Sequence, residues 1–190
     1  LGMVAFVCAS ACTRYAKDAD KAPSMGPRAE LLHMSAERVA AFDTVSELGR
    51  RAGADVSAGA ERFIGSLGDL DERLRPSDWA ERLIKTYLAF GLLLDFCGAL
   101  VDGLDEPLRG PVRAVLQADG ATAAAELLDD VADDPQLAAR LGLWGRRVAG
   151  EEIGTLQRML SVYPELLGGG ADAAGLHEVL SQGATSRMRG

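Results

Sequence analysis

Histidine, cysteine and carboxylate side chains are the groups through which this chain could do chemistry, and their number is small. It contains only His33 and His177, and neither ends an acid-x-x-His pattern. His33 stands four residues before Glu37, so the two share a helix face, but a lone imidazole beside an apolar helix is more often hydrogen-bonded than metal-bound. His177 follows a glycine-rich stretch and is expected to face solvent. The three cysteines, Cys8, Cys12 and Cys97, cannot all pair within one chain and show no Cys-x-x-Cys spacing. All three sit in apolar runs, which suits buried, reduced thiols in a cytoplasmic protein. No glycine-rich phosphate loop, no Gly-x-Ser-x-Gly elbow and no structural zinc spacing appears.

The elements that must position these groups are helices. Apolar residues recur at helical spacing over 4–22, 29–48, 56–74, 79–104, 112–131 and 137–160, with a shorter segment at 173–182. Pro23, Gly26-Pro27, Gly53, Asp105-Glu106-Pro107, Asp134-Pro135 and Pro164 punctuate them, and Asp78 after Pro76-Ser77 supplies a capping side chain before Trp79. Short connections between long helices predict antiparallel neighbours and an all-α, up-and-down bundle. No repeat of fixed period supports an α-solenoid instead. Residues 1–190 are expected to form one domain, with a flexible joint at Gly168–Gly170 and a short helix packed after it.

Composition bounds the function. With 28 acidic against 20 basic residues the net charge is −8, which disfavours attachment to nucleic acid or anionic lipid. The run 83–101 is almost continuously apolar, but Lys85 and Asp95 lie inside it, and a charge at a bilayer centre costs about 2.5–3.5 kcal/mol. It reads as a central bundle helix. MVAFVCASAC (3–12) has the apolar run of an export signal, yet no basic residue precedes it and the pattern continues into RYAKDADKA (14–22), so it too reads as a bundle helix. The chain opens on Leu1 and not Met, as a clipped chain would.

From Pro76 onward, PSDWAERLIKTYLAFGLLLDF (76–96), PVRAVL (111–116) and LAARLGLWGRRVAGE (137–151) resemble the actinobacterial ferritin-like proteins related to the tRNA hydroxylase MiaE. The likeness extends weakly to RYAKDADKAP (14–23) and the helix around Glu37. It implies a ferritin-like bundle and, in intact members, a carboxylate-bridged di-iron centre that activates oxygen. Such a centre takes a lone Glu from each of two helices and Glu-x-x-His from each of two others, all aimed inward.

Against that pattern this chain departs almost everywhere. Cys8 stands where the first helix should offer Glu, Ala40 stands where histidine should follow Glu37, and Ala118 and Ala121 occupy an acid and a histidine position. The remaining acid falls near Ala89 or Asp95, of which only Asp95 is a carboxylate. Glu37 and Asp95 are therefore the remnant metal positions, expected in or near the bundle interior. No catalytic and no cofactor-binding residue is assigned, and no cofactor is expected. A single soft metal held by Cys8, Cys12, His33 and Glu37 is a further arrangement to test, since a hairpin of the first two helices would bring Cys12 level with Glu37. Trp144 is expected as a packing anchor, with Arg140, Arg147 and Arg158 on a solvated face interleaved with Glu151 and Glu152.

The expected function is that of a degenerate, non-catalytic ferritin-like protein acting in protein interaction or as a structural subunit. It would form a homo-oligomer, or a hetero-oligomer with an intact family member, in the cytoplasm, with neither a membrane nor a strong nucleic-acid contact. The alternative is a di-iron hydroxylase acting on a modified tRNA base or a small molecule.

Overall fold

The computed structural model describes residues 1–117, 134–170 and 172–189. Its helices are α1 (Gly2–Lys21), α2 (Met25–Arg51), α3 (Val56–Glu61), α4 (Gly68–Arg73), α5 (Trp79–Val101), α6 (Glu106–Gln117), α7 (Pro135–Val162) and α8 (Ala173–Arg187), with a 3-10 helix at Pro164–Gly170 before α8. No strand occurs among the described residues.

Capping side chains set several of these starts. Asp55, Asp78, Asp134 and Asp172 each accept a backbone N–H of the first turn they precede, at 2.9 Å from Ala58, 2.9 Å from Glu81, 2.9 Å from Gln136 and 2.6 Å from Gly175. Besides shifts of a few residues at helix ends, two of the predicted segments differ from the structure. The run 56–74 is two short helices and not one, because Gly65 takes φ +87° and the chain turns there through i→i+3 bonds such as Ser66 to Phe63. Helix α6 starts at Glu106 and not near Val112, because Pro107 falls in the first turn, where its missing N–H has no partner to lose. The predicted segment 118–131 lies outside the described residues.

The long elements run both up and down the bundle. The end of α1 meets the start of α5 through Asp18 and Arg82, and Tyr15 of α1 packs on Phe90 with ring centroids 5.7 Å apart, so these helices are antiparallel. Helix α7 runs with α5, Arg140 lying at Glu81, and α8 runs back against α5, with Arg187 at Asp95. This is the predicted all-α, up-and-down bundle. Val4, Val7, Cys8, Ala11 and Tyr15 bury one stripe of α1, and Leu31, Met34, Ala41 and Val45 one stripe of α2. Helix α5 is buried nearly all round, from Leu83 to Val101. By length and composition it is apolar enough to cross a membrane, but most of that window is buried by its neighbours. Leu176, Leu180 and Ala184 of α8 join the same core cluster as α1 and α2.

Candidate functional site

The helical phase of α2 decides what the bundle interior holds. Successive residues of a helix are turned by about 100°, and α2 turns Glu37 and Ala40 to solvent while Arg38, 1% exposed, enters the core. The expected interior position of Glu37 is therefore corrected: the charged group that α2 sends inward is a guanidinium. Cys8 of α1 is fully buried. Burial pushes its thiol up to about 11, against a smaller downward pull from the Arg38 guanidinium. Cys97 of α5 lies close enough to Cys8 to be influenced by it, although burial is the main cause that raises its own thiol. The interior between α1, α2 and α5 thus gathers Cys8, Cys97 and Arg38 among apolar side chains.

Asp95 is half-buried on α5, on the side turned to α8, and its carboxylate receives both Nη atoms of Arg187, Nη2 at 3.0 Å from Oδ1. Two glycines make room for this pair. A Cβ on Gly91 would fall 2.0 Å from Arg187 Nε, and one on Gly183 would fall 2.1 Å from Asp95 Oδ2. Glu37 and Asp95 are not brought together. Nor are the four residues of the soft-metal arrangement: Cys8 faces the core, His33 and Glu37 face solvent, and Cys12 is level with Ser35, whose hydroxyl donates to the Cys12 carbonyl at 2.9 Å. Among the described residues no group of three or more His, Cys, Asp or Glu side chains could hold a metal ion. Ala118 and Ala121 lie outside the described residues. His177 is exposed, with Nδ1 2.9 Å from Gln157 Nε2.

Sequence reasoning missed the buried acids. Asp18 of α1 is fully buried and accepts from Arg82 at 3.0 Å and from the Thr86 hydroxyl. Glu81 of α5 accepts from the Ser77 backbone and hydroxyl, each at 2.8 Å, and from Arg140 at 2.6 Å. The Trp144 indole N–H donates to the Glu81 carbonyl at 2.8 Å, which makes it the expected packing anchor. Glu152 of α7 is fully buried, a correction to its expected place on a solvated face. Arg140, Arg147 and Arg158 are held by protein groups: Glu81 and Asp78, the Arg73 carbonyl, and the Thr155 hydroxyl. These contacts tie α1 to α5 and α5 to α7.

A groove of about 410 Å³ opens between α1 and α5 beneath residues 64–70. Its floor of Phe6, Ala89, Phe90 and Leu93 is apolar, and its described lining contains no histidine, cysteine or carboxylate. Arg14, Lys17 and Lys85 add cationic groups to that described lining.

The fold agrees with what comparison shows. The family model described as "Ferritin-like domain, actinomycetes" matches residues 1–168, ending just before α8. No curated protein matches the chain. The bundle built by α1 to α7 is a ferritin-like fold, and the chain belongs to the ferritin-like domain family of actinomycetes.

Proposed function

We propose that this protein is a non-catalytic ferritin-like bundle, related to the tRNA hydroxylase MiaE group, which acts as an interaction or structural subunit. One observation carries the reading: α2 turns Glu37 to solvent and buries Arg38 in the core. A di-iron centre needs inward carboxylates to neutralise two metal ions, and a guanidinium in their place adds positive charge to an already cationic site. Cys8 with a strongly raised thiol is a poor ligand beside it, since the thiolate is the metal-binding form. Asp95, the other acid of the remnant set, is engaged by Arg187. The described donor set does not fit a di-iron centre, and we derive no oxygen chemistry from it.

The same reading makes residues 1–190 one domain, supported by the shared core of α1, α2, α5 and α8. It places the protein in the cytoplasm, in keeping with its three free cysteines. Elemental analysis of protein produced in iron-supplemented cells, without a histidine tag, tests the function. Iron well below one equivalent per chain is expected, with no near-ultraviolet oxidised di-iron absorbance. Iron near two equivalents would overturn the reading in favour of an active hydroxylase acting on a modified tRNA base or a small molecule.

A further inference from the structure

The groove between α1 and α5 lies outside the bundle core and is polarised along its length. Phe6, Ser10, Thr13 and Lys17 line it from α1 and follow one another at steps of three and four residues. They form one face of that helix, turned away from the buried stripe of Val4, Cys8, Ala11 and Tyr15. Lys85, Ala89, Phe90 and Leu93 line it from α5. Because the two helices are antiparallel, with Tyr15 on Phe90 and Asp18 at Arg82, Lys17 and Lys85 share one end of the groove. Phe6 lies towards the other end, about 16 Å from Lys17 along α1. The charge of this lining also runs against that of the chain. The protein carries a net charge of −8, yet the described lining holds three cations and no carboxylate. Lys17 is exposed and, among the described residues, takes part in no ion pair. The acids close to it on α1 are engaged elsewhere: Asp18 by Arg82 and the Thr86 hydroxyl, Asp20 by Lys21. Lys85 is 4% exposed and donates to the Leu74 carbonyl at 2.8 Å.

We propose that this groove binds a single-chain fatty carboxylate, its headgroup at Lys17 and its hydrocarbon chain laid over Phe90 and Leu93 towards Phe6. The site goes beyond the non-catalytic reading and does not depend on it. Its ground is complementarity of charge and polarity along one axis. Beyond the lysine end the walls are apolar, with Phe90, Ala89 and Leu93 below and Leu67 and Leu70 above. Ile64 lines the same space while 74% exposed, so a hydrocarbon chain would cover apolar surface that now meets water. A compact polar anion would leave that floor uncovered, and a neutral apolar molecule would leave Lys17 without a partner. Size selects among lipids. The groove of about 410 Å³ stands towards the small end of ligand pockets, which run from about 300 to 1,000 Å³, and suits one hydrocarbon chain better than the two of a membrane phospholipid.

The test is isothermal titration calorimetry of the full chain with decanoate below its micelle concentration. Decan-1-ol and decyltrimethylammonium serve as neutral and cationic probes of the same chain length. Lys17→Glu removes the head contact, and Thr13→Trp places an indole in the middle of the groove. Both positions are exposed, so both variants should keep the wild-type circular dichroism. The expected result is saturable binding of one decanoate per chain, weaker by roughly fivefold for the alcohol and for Lys17→Glu, the weight of one exposed ion pair. Thr13→Trp should abolish it. Absence of saturable binding overturns the proposal. So does a cationic probe that binds as tightly as decanoate, or a Thr13→Trp variant of unchanged affinity. Binding to phosphatidylglycerol vesicles without binding to decanoate overturns it in favour of a membrane contact. None of these outcomes depends on iron content, so the site can fail while the non-catalytic reading stands, and the reverse.

Discussion

Arg187 of α8 grips Asp95, in the last third of α5, with both Nη atoms of its guanidinium. The acid expected from the sequence as a remnant metal position is thus held by a helix that lies beyond the family match. The side chains of Asp95 and Arg187 are 25% and 14% exposed, so the pair is partly shielded from water. Asp95→Ala should cost about 1–3 kcal/mol, because it leaves a shielded guanidinium with weakened compensation. Arg187→Met in the same chain should recover part of that loss. Urea denaturation of the two single variants, the double variant and the wild type measures the coupling. Additive losses would mean that Asp95 serves some group other than Arg187.

Gly91 and Gly183 should be as sensitive as the pair they accommodate. Alanine at either position improves helix propensity by up to about 1 kcal/mol, which alone would stabilise α5 or α8. The added Cβ would instead lie about 2 Å from Arg187 or Asp95 and force the pair apart. Net destabilisation is expected for both, with faster hydrogen exchange in α8 than in α5. A rise in melting temperature for Gly183→Ala would show that α8 is not docked through this contact.

Neighbouring residues of α2 should behave oppositely. Glu37→Gln changes an exposed side chain and is expected to alter stability by less than about 0.5 kcal/mol. Arg38→Ala empties a fully buried position and should cost roughly 2–5 kcal/mol, the range for truncating a long core side chain. Chemical denaturation of the two variants distinguishes this helical phase from one that turns Glu37 inward, under which the two losses would exchange places.

That phase was the hardest thing to read from the chain, for a physical reason. The first four turns of α2 are apolar on both sides, Leu31 and Met34 inward and Leu32 and Val39 outward, so periodicity alone does not say which face is core. Helices α1, α5 and α7 were legible because their buried stripes are continuous or complete, and because Asp78 and Asp134 mark two of the starts. The break at Gly65 was hidden by apolar residues that keep helical spacing across it. The role of Asp95 was invisible, since its partner stands 92 residues away on an element the family pattern does not include.

Acid should weaken the junction between α5 and α7. The Asp78 carboxyl is held below its ordinary value of 3.8, chiefly by the Glu81 backbone N–H and then by Arg140, against the opposing effect of burial. A depressed folded-state value means that the stabilisation is present above the unfolded value and is lost as pH falls through the folded one, which places the loss below about pH 4. Asp78→Asn keeps a good capping residue but removes the titration. The variant should therefore show a shallower decline of stability between about pH 4 and pH 2 than the wild type. Equal slopes in pH-dependent urea melts would assign the acid sensitivity to other carboxylates.

The thiols offer a direct probe of whether the core is closed. Cys12 is half-buried, whereas Cys8 and Cys97 are fully buried with raised thiols. A thiol shifted to about 11 is ionised to roughly one part in a thousand at pH 8, and only the thiolate attacks a disulfide reagent. Native protein should therefore show one fast-reacting cysteine, mapped to Cys12 by mass spectrometry, and two that react only at the rate of unfolding. Urea should release the two buried thiols, Cys8 and Cys97, together if the bundle opens as one unit. Fast labelling of Cys8 in the native state would reveal a solvent path into the interior between α1, α2 and α5, and with it room for a bound group that the closed core described here excludes.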